Sequence, residues 1–377
     1  MRTRTVLLTA LLAAALPAPA VAATLTVSPG KSIQGAVDKA KAGDTVNVKP
    51  GTYKEDTQKC PAESGGCAVL IKKGIKLIGL QGEGNPVVLK AKSGQHQGIL
   101  AARKGGPKCL ADKSRRIKHL LIKGFTIKGF EGDGVFVRCA DDWRITAVTA
   151  MGNDEYGIFP VFSGKGRVDH SYASGANDTG IYIGQSHDVR IDHNYAQHNV
   201  SGFELENTAD SRADHNVGLG NTAGLLSFSL PGLPVRGNRQ NVIEDNDFHA
   251  NNRKNTCEDP DDIVCKVPEG TGLALVAADG NVVRRNKVRN NVTVGIAVAS
   301  YCIVKGDTEC SFANYDPYPN NDHVVNNVAT GNGKDPNETY AGFASDLLWD
   351  TTGTGNCWSG NTFGKSFPAE LPACGTP

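Results

Sequence analysis

The sequence predicts an all-β fold: a parallel β-helix solenoid with coils of 22–23 residues, a short N-terminal capping helix and disulfide-stapled insertions. Three observations predict it. A glycine opens a short apolar run at Gly134, Gly157, Gly180, Gly202, Gly224, Gly272, Gly295 and Gly342, at steps of 23, 23, 22, 22, 48, 23 and 47 residues. The long steps are about two periods each, so the period survives insertions. Strand-like runs follow each glycine, as in Ile181-Tyr182-Ile183 and Phe203-Glu204-Leu205, and a second set follows about ten residues later, as in Val189-Arg190-Ile191. Two polar columns recur after them, mostly asparagine. One holds Ser171, Asn194, Asn216, Asn246, Asn286 and Asn327; the other holds Asn153, Asn177, Asn199, Asn221, Asn251, Asn291 and Asn332. Coils stack at roughly 4.8 Å, so such side chains can hydrogen-bond up and down the stack and satisfy turn backbone.

The elements follow in order. Arg2 and Arg4 precede an apolar run from Val6 to Leu16, then Pro17, Pro19 and the small residues Ala20 to Ala23. This pattern predicts a signal peptide over 1–23, and hence a periplasmic or secreted protein. Residues 24–377 are expected to form one domain: a cap over 24–52, coils over 53–342, and a C-terminal coil and plug over 343–377. Within the cap, Ser32 to Lys41 reads as an amphipathic helix with Ile33, Val37 and Ala40 on one face. A cap is needed because an open coil exposes core and unpaired strand edges. Further strands are expected at Leu25–Val27, Thr45–Val48, Val69–Ile71, Lys76–Ile78 and Val87–Leu89, with regular coils from about Ile117 to Ala299.

Ten cysteines fit an exported protein. Neighbours along the chain make a set of five disulfides: Cys60–Cys67, Cys109–Cys139, Cys257–Cys265, Cys302–Cys310 and Cys357–Cys374. No CxxC pair points to a metal. Charge is nearly balanced, with 40 basic and 39 acidic residues. That argues against nucleic acid or a polybasic membrane anchor as a partner. No later segment is apolar enough to span a membrane, and a monomer is expected.

The cap residues Ile33-Gln34, Ala36-Val37, Ala42-Gly43-Asp44-Thr45-Val46 and Pro50-Gly51-Thr52-Tyr53 resemble the start of right-handed β-helix proteins of the pectate-lyase-like superfamily. Gly202-Phe203-Glu204-Leu205-Glu206-Asn207, Leu230-Pro231-Gly232-Leu233-Pro234 and Asp316-Pro317-Tyr318-Pro319 resemble a narrower group of secreted bacterial β-helix repeat proteins without established activity. Ser229 stands where that group has an acidic residue. The resemblance implies a right-handed helix with substrate along one outer face.

Alternation sorts each glycine-led strand into inward and outward residues. The outward columns bring together Phe136, Phe159, Tyr182 and Glu204, with Arg138 and Glu206 two residues further on. Aromatic faces suit sugar rings, and adjacent polar groups orient hydroxyls. Phe136 and Phe159 are therefore candidate substrate-binding residues, and Tyr182, Glu204, Glu206 and Arg138 candidate catalytic ones. The competing reading is a loop, from 231–239 or 105–114, that covers the aromatics. Asp169-His170, Asp192-His193 and Asp214-His215 form a second column. An Asp can set a His tautomer for proton transfer, but duplication of a turn gives the same pattern. The acidic loop Cys257–Cys265 leaves calcium open as the one cofactor; no metal site is otherwise expected.

Two classes of function fit. One binds, and modifies, a polysaccharide or cell-envelope glycan as a lyase, epimerase or hydrolase. A lyase would use Arg138 to neutralise a uronate and Tyr182 or a His on the C5 proton; a hydrolase would use Glu204 and Glu206. The Asp-Pro-His motif of alginate epimerases is absent. The other class is a non-catalytic envelope scaffold or periplasmic accessory protein. Met151 is the single methionine after Met1, which argues against a copper-handling surface.

Overall fold

The computed structural model describes residues 22–61, 65–82, 84–257, 260, 262–307, 309–336 and 338–375. Among them, three parallel sheets of 12, 11 and 11 strands run the length of the molecule. Each coil gives one strand to each sheet. The predicted solenoid is present, and its helix is right-handed. The expected signal segment lies, up to residue 21, outside the described residues.

The inward column Val135, Ile158, Ile181, Phe203, Leu225, Leu273 and Ile296 is wholly buried and continuous with one long core. Each such side chain contributes about 1.5–3 kcal/mol on burial. The recurring glycines stand beside this core. A β-carbon on Gly202 would lie 2.7 Å from the carbonyl oxygen of Gly224 and 2.9 Å from the Asn221 amide nitrogen. Close coil approach, not an unusual φ, is what these positions require. Strand register extends the column back to Gly98 and Ala68, and forward from Gly295 to Asp346. Gly342 is thus not its last member; it lies in a short 3-10 turn, Glu338–Phe343.

Both asparagine ladders form. Asn216 receives hydrogen bonds at its Oδ1 from the Asn194 backbone (3.1 Å) and amide side chain (3.0 Å), and itself donates to Asn246 (3.0 Å); the pattern continues through Asn286 and Asn327. The second ladder runs Asn199, Asn221, Asn251, Asn291 and Asn332. Asn177 is not a rung: Ala176 occupies the position and donates its N–H to Asn199, while Asn177 reaches Asp154. A third ladder, through Ser211, Asn241, Asn281, Asp322 and Asn356, was not foreseen.

The cap helix is shorter than predicted, Ile33–Lys39, with Ser32 as its N-cap. Glu55 explains the sharp start: its buried carboxylate accepts from the Ser32 hydroxyl (2.6 Å) and the Ile33 N–H (2.7 Å). Gln34 then covers the edge strand Cys67–Ile71, accepting from Leu70 N–H (2.7 Å). All five expected disulfides are present. Two of them staple the insertions that lengthen the repeat, and these insertions rise beside one sheet.

Candidate functional site

A cleft of about 790 Å³ lies on the outer face of the sheet built from the glycine-led strands. Its floor is made by the strands Ser201–Glu206, Ala223–Phe228, Thr271–Val276, Val294–Ala299 and Ser345–Trp349, with Tyr156 and Asp178 at one end and Tyr182 buried beneath the carboxylates. The stapled insertions supply walls through Val264, Val267, Ile303 and Val304. Register places Tyr182 beside Glu204 and Gly184 beside Glu206.

One end of the cleft is acidic. Glu155 and Asp178 stand two residues before successive column glycines and are stacked through the Asp178 N–H to Glu155 carbonyl bond (3.2 Å). Thr179 donates its hydroxyl to Asp178 (2.9 Å). Burial pushes Asp178 up to about 6, against hydrogen bonds from Thr179 and Tyr156. Burial also pushes Glu206 up to about 7, opposed by a hydrogen bond from Tyr182, with Asp178 adding repulsion. Glu204 is raised well above the usual carboxylate range by burial, then by the charge of Asp178. Three carboxyls that sense one another in a low-dielectric site cannot all ionise, so some hold protons near neutrality. Tyr182 lies over Gly184, which has no side chain to displace it.

The other predicted residues sit elsewhere. Phe136 is buried among Leu70, Leu100 and Val161, with Cys60 packed against them. Phe159 stacks on Phe136 at 4.6 Å and meets Tyr182 edge-on at 4.8 Å. Both aromatics are packing residues at the closed side of the cleft. Cys60 packs against them, and no described residue of 231–239 or 105–114 belongs to that apolar cluster. Residues 231–239 instead close over Asn207, whose amide donates to Leu230 and Val235 carbonyls. Arg138 is separated from Glu206 along its column by Val161 and Gly184, about 14 Å in three strand steps. Its guanidinium lies 5.8 Å from the Phe136 ring centroid. The structure therefore does not bring Arg138 to the carboxylates. Asp178, Glu155 and Tyr156 were overlooked, although their fixed offset from the glycines was visible in the sequence.

The Asp-His column lies on a different sheet and is built into an arginine ladder. Arg144 grips buried Asp169 with two bonds of 2.7 Å; Arg167 grips Asp192 and Arg190 grips Asp214 alike. His170, His193 and His215 stack at 5.1 and 4.9 Å, each hydrogen-bonded through Nδ1 to its own Asp. All three have φ near 50–55°, a turn conformation. Although burial alone would raise Asp169 and Asp214, the arginine and histidine hydrogen bonds hold both at about 2. Among the described residues, no three His, Cys, Asp or Glu groups converge on a metal position. Of the acidic loop, Glu258, Asp259 and Asp261 lie outside the described residues.

A family model described as a right handed beta helix region matches residues 89–238. In fold the chain is a right-handed parallel β-helix. No curated protein matches it in sequence. Among solved structures it resembles the A-module of the Azotobacter vinelandii mannuronan C-5 epimerase AlgE4, with 18% identity, TM-score 0.60, and coverage of 88% of this chain and 91% of that one. The periplasmic alginate epimerase AlgG is similar at 15% identity and TM-score 0.59, over 90% of this chain and 72% of that one. The DFA-IIIase of Arthrobacter chlorophenolicus A6 is similar at 15% identity and TM-score 0.58, over 90% and 88%. These likenesses are of fold. No helix among the described residues is long and apolar enough to cross a membrane.

Proposed function

We propose that the protein is an exported, monomeric glycan-active enzyme of the hydrolase type, acting at the acidic end of the cleft. The observation that carries this reading is the group Asp178, Glu204 and Glu206, three mutually repelling carboxyls on the cleft floor, two of them raised to about 6 and about 7. Such a split supplies an acid and a base at one pH.

In this reading Glu206, protonated and held by Tyr182, gives its proton to the glycosidic oxygen as the C–O bond breaks. Asp178 is the carboxylate that takes a proton from water as the water oxygen bonds the anomeric carbon. Glu204, between them, holds its proton and orients a sugar hydroxyl. An uronate lyase or epimerase needs a cation at the substrate carboxylate; with Arg138 about three strands away, it would have to draw on Lys266 or Lys305, which line the walls of the cleft. The five disulfides support a periplasmic or extracellular location.

The test is proton NMR of alginate, pectate, glycosaminoglycans, neutral glucans and alkyl glycosides, before and after incubation with the disulfide-intact protein, with and without calcium. New reducing-end signals that disappear with Glu206→Gln support the hydrolase. Unsaturated or epimerised products overturn it in favour of elimination chemistry. An unchanged panel moves the protein to a glycan-binding or scaffold role.

A further inference from the structure

The floor of the cleft changes character at one strand step. Register aligns Tyr182, Glu204, Leu226, Ala274, Ala297 and Leu348 in a single outward column. A second column runs Gly184, Glu206, Phe228, Val276 and Ala299. Both turn from polar to apolar between the Ser201–Glu206 and Ala223–Phe228 strands; the first stays apolar through Leu348, and the second meets a polar residue again only at Asp350, beside Ala299. From Leu226 to Leu348 the column covers three strand steps, about 14 Å, without an outward polar side chain. Val267 and Phe343 pack against this stretch from the sides. The two small residues, Ala274 and Ala297, lie between two leucines and make the floor a trough.

A glycan chain could not continue along this trough at low cost. Each hydroxyl turned to this floor would lose its water without gaining a partner there, since the polar side chains of this stretch, Lys266, Tyr301, Lys305 and Tyr340, stand on the walls. On the opposite side Phe136 and Phe159 stack and close the face, and the cleft turns toward Glu155, Asp154, Asn177 and Glu131. At the polar end itself an anionic head is disfavoured, because Asp178, Glu204 and Glu206 line it with Glu155 and Asp154 nearby, while the lysines of the cleft, Lys266 and Lys305, belong to the walls.

We infer that the ligand of this cleft is an amphipathic neutral glycoside, with its sugar at Asp178, Glu204 and Glu206 and a saturated alkyl or acyl chain lying along Leu226, Ala274, Ala297 and Leu348. The inference rests on the hydrolase reading for its sugar end and on the trough alone for its chain. Charge and shape complementarity select such a ligand over an extended polysaccharide.

The experiment is displacement of the neutral fluorophore N-phenyl-1-naphthylamine from the intact protein. The competitors are methyl, hexyl, octyl and decyl glucosides and galactosides below their micelle concentrations, decanol, and a glucan hexasaccharide. Affinity is expected to rise by about fourfold per methylene until the chain outruns the trough, and the hexasaccharide is expected to displace nothing. Ala297→Glu should bring the decyl glycosides down toward the methyl ones. Affinity independent of chain length, or better displacement by the hexasaccharide than by any decyl glycoside, overturns the inference. Reducing ends released from the oligosaccharide without a chain-length effect sink this inference and leave the hydrolase standing. Decanol binding as tightly as the decyl glycosides, with no response to Glu206→Gln, sinks the hydrolase and the sugar end while the trough remains. The wild-type chain-length series is decisive even if Ala297→Glu does not fold.

Discussion

The ring of Tyr182 lies across the α-carbon of Gly184, and its hydroxyl engages Glu206, the residue next to Gly184 on the adjoining strand. The glycine here is a floor tile: any side chain at 184 would meet the ring. Gly184→Ala is expected to displace Tyr182 and lower activity by about tenfold or more, since small misplacements at a reacting site are expensive. Stability should fall by about 1–3 kcal/mol from overpacking. Turnover on the substrate found by NMR, together with urea unfolding, measures both. Full activity in a well-folded variant would separate Tyr182 from the chemistry.

The pH profile follows from the raised carboxyls. Activity should need Asp178 ionised and Glu206 protonated, giving a bell with limbs near 6 and near 7. Tyr182→Phe removes the hydrogen bond that holds Glu206 down, so the alkaline limb should move upward. Stability has a related slope. An acid whose folded pKa is raised binds more protons folded than unfolded, so its stabilising contribution is full below about 4.5 and declines as pH rises toward 7. Glu206→Gln should flatten that decline, and unfolding midpoints across pH 4 to 8 read it directly.

How much of this was legible in the sequence depends on which contacts repeat. The solenoid, the inward column from Val135 to Ile296 and most rungs of two asparagine ladders were visible, because every coil meets the same constraint at the same offset. Asn177 was misread because Ala176 can donate its backbone N–H to Asn199 without any side chain of its own. Gly342 was misread because the insertion before it hid Asp346. That aspartate accepts from both nitrogens of Asn332 (2.8 and 2.9 Å) and so ends the ladder. At the site, alternation placed Tyr182, Glu204 and Glu206 on one face correctly. It could not show that Phe136, on the same face, packs under Cys60 from an earlier part of the chain, or that Arg138 lies three strand steps from Glu206. Tertiary cover is not written in a strand's period. The arginine ladder was missed for a different reason: the partners of Arg144, Arg167 and Arg190 lie one coil away, 24 or 25 residues along the chain.

Rungs in the middle of a ladder should be costly to remove. Asn246 accepts from the Asn216 backbone (2.9 Å) and side chain (3.0 Å), and donates to Ala213 carbonyl (2.9 Å) and Asn286 (2.9 Å). Asn246→Ala strands a buried N–H and a buried carbonyl, each worth about 1–3 kcal/mol, so a loss of about 4 kcal/mol is expected. Asn246→Asp keeps the acceptor and loses the donors, and should fall between. Denaturant unfolding with matched m-values tests the pair.

The arginine ladder predicts acid sensitivity. Asp169 and Asp214 sit at about 2 in the fold, below an ordinary aspartate. A carboxylate with a lowered folded pKa contributes stability that is fully present above its unfolded value near 4. That contribution disappears as pH falls through the folded value near 2. The protein should therefore lose stability between about pH 4 and pH 2, with little slope from these groups above pH 5. Arg190→Met leaves Asp214 with His215 and Arg212 as partners, which should raise its pKa and move the acid midpoint upward. The half-exposed arginines limit the gain per pair, so the shift should be modest in one variant and larger when Arg167→Met is added. Acid unfolding followed by circular dichroism checks this, and an unmoved midpoint would mean that the ladder is solvated and contributes nothing to the fold.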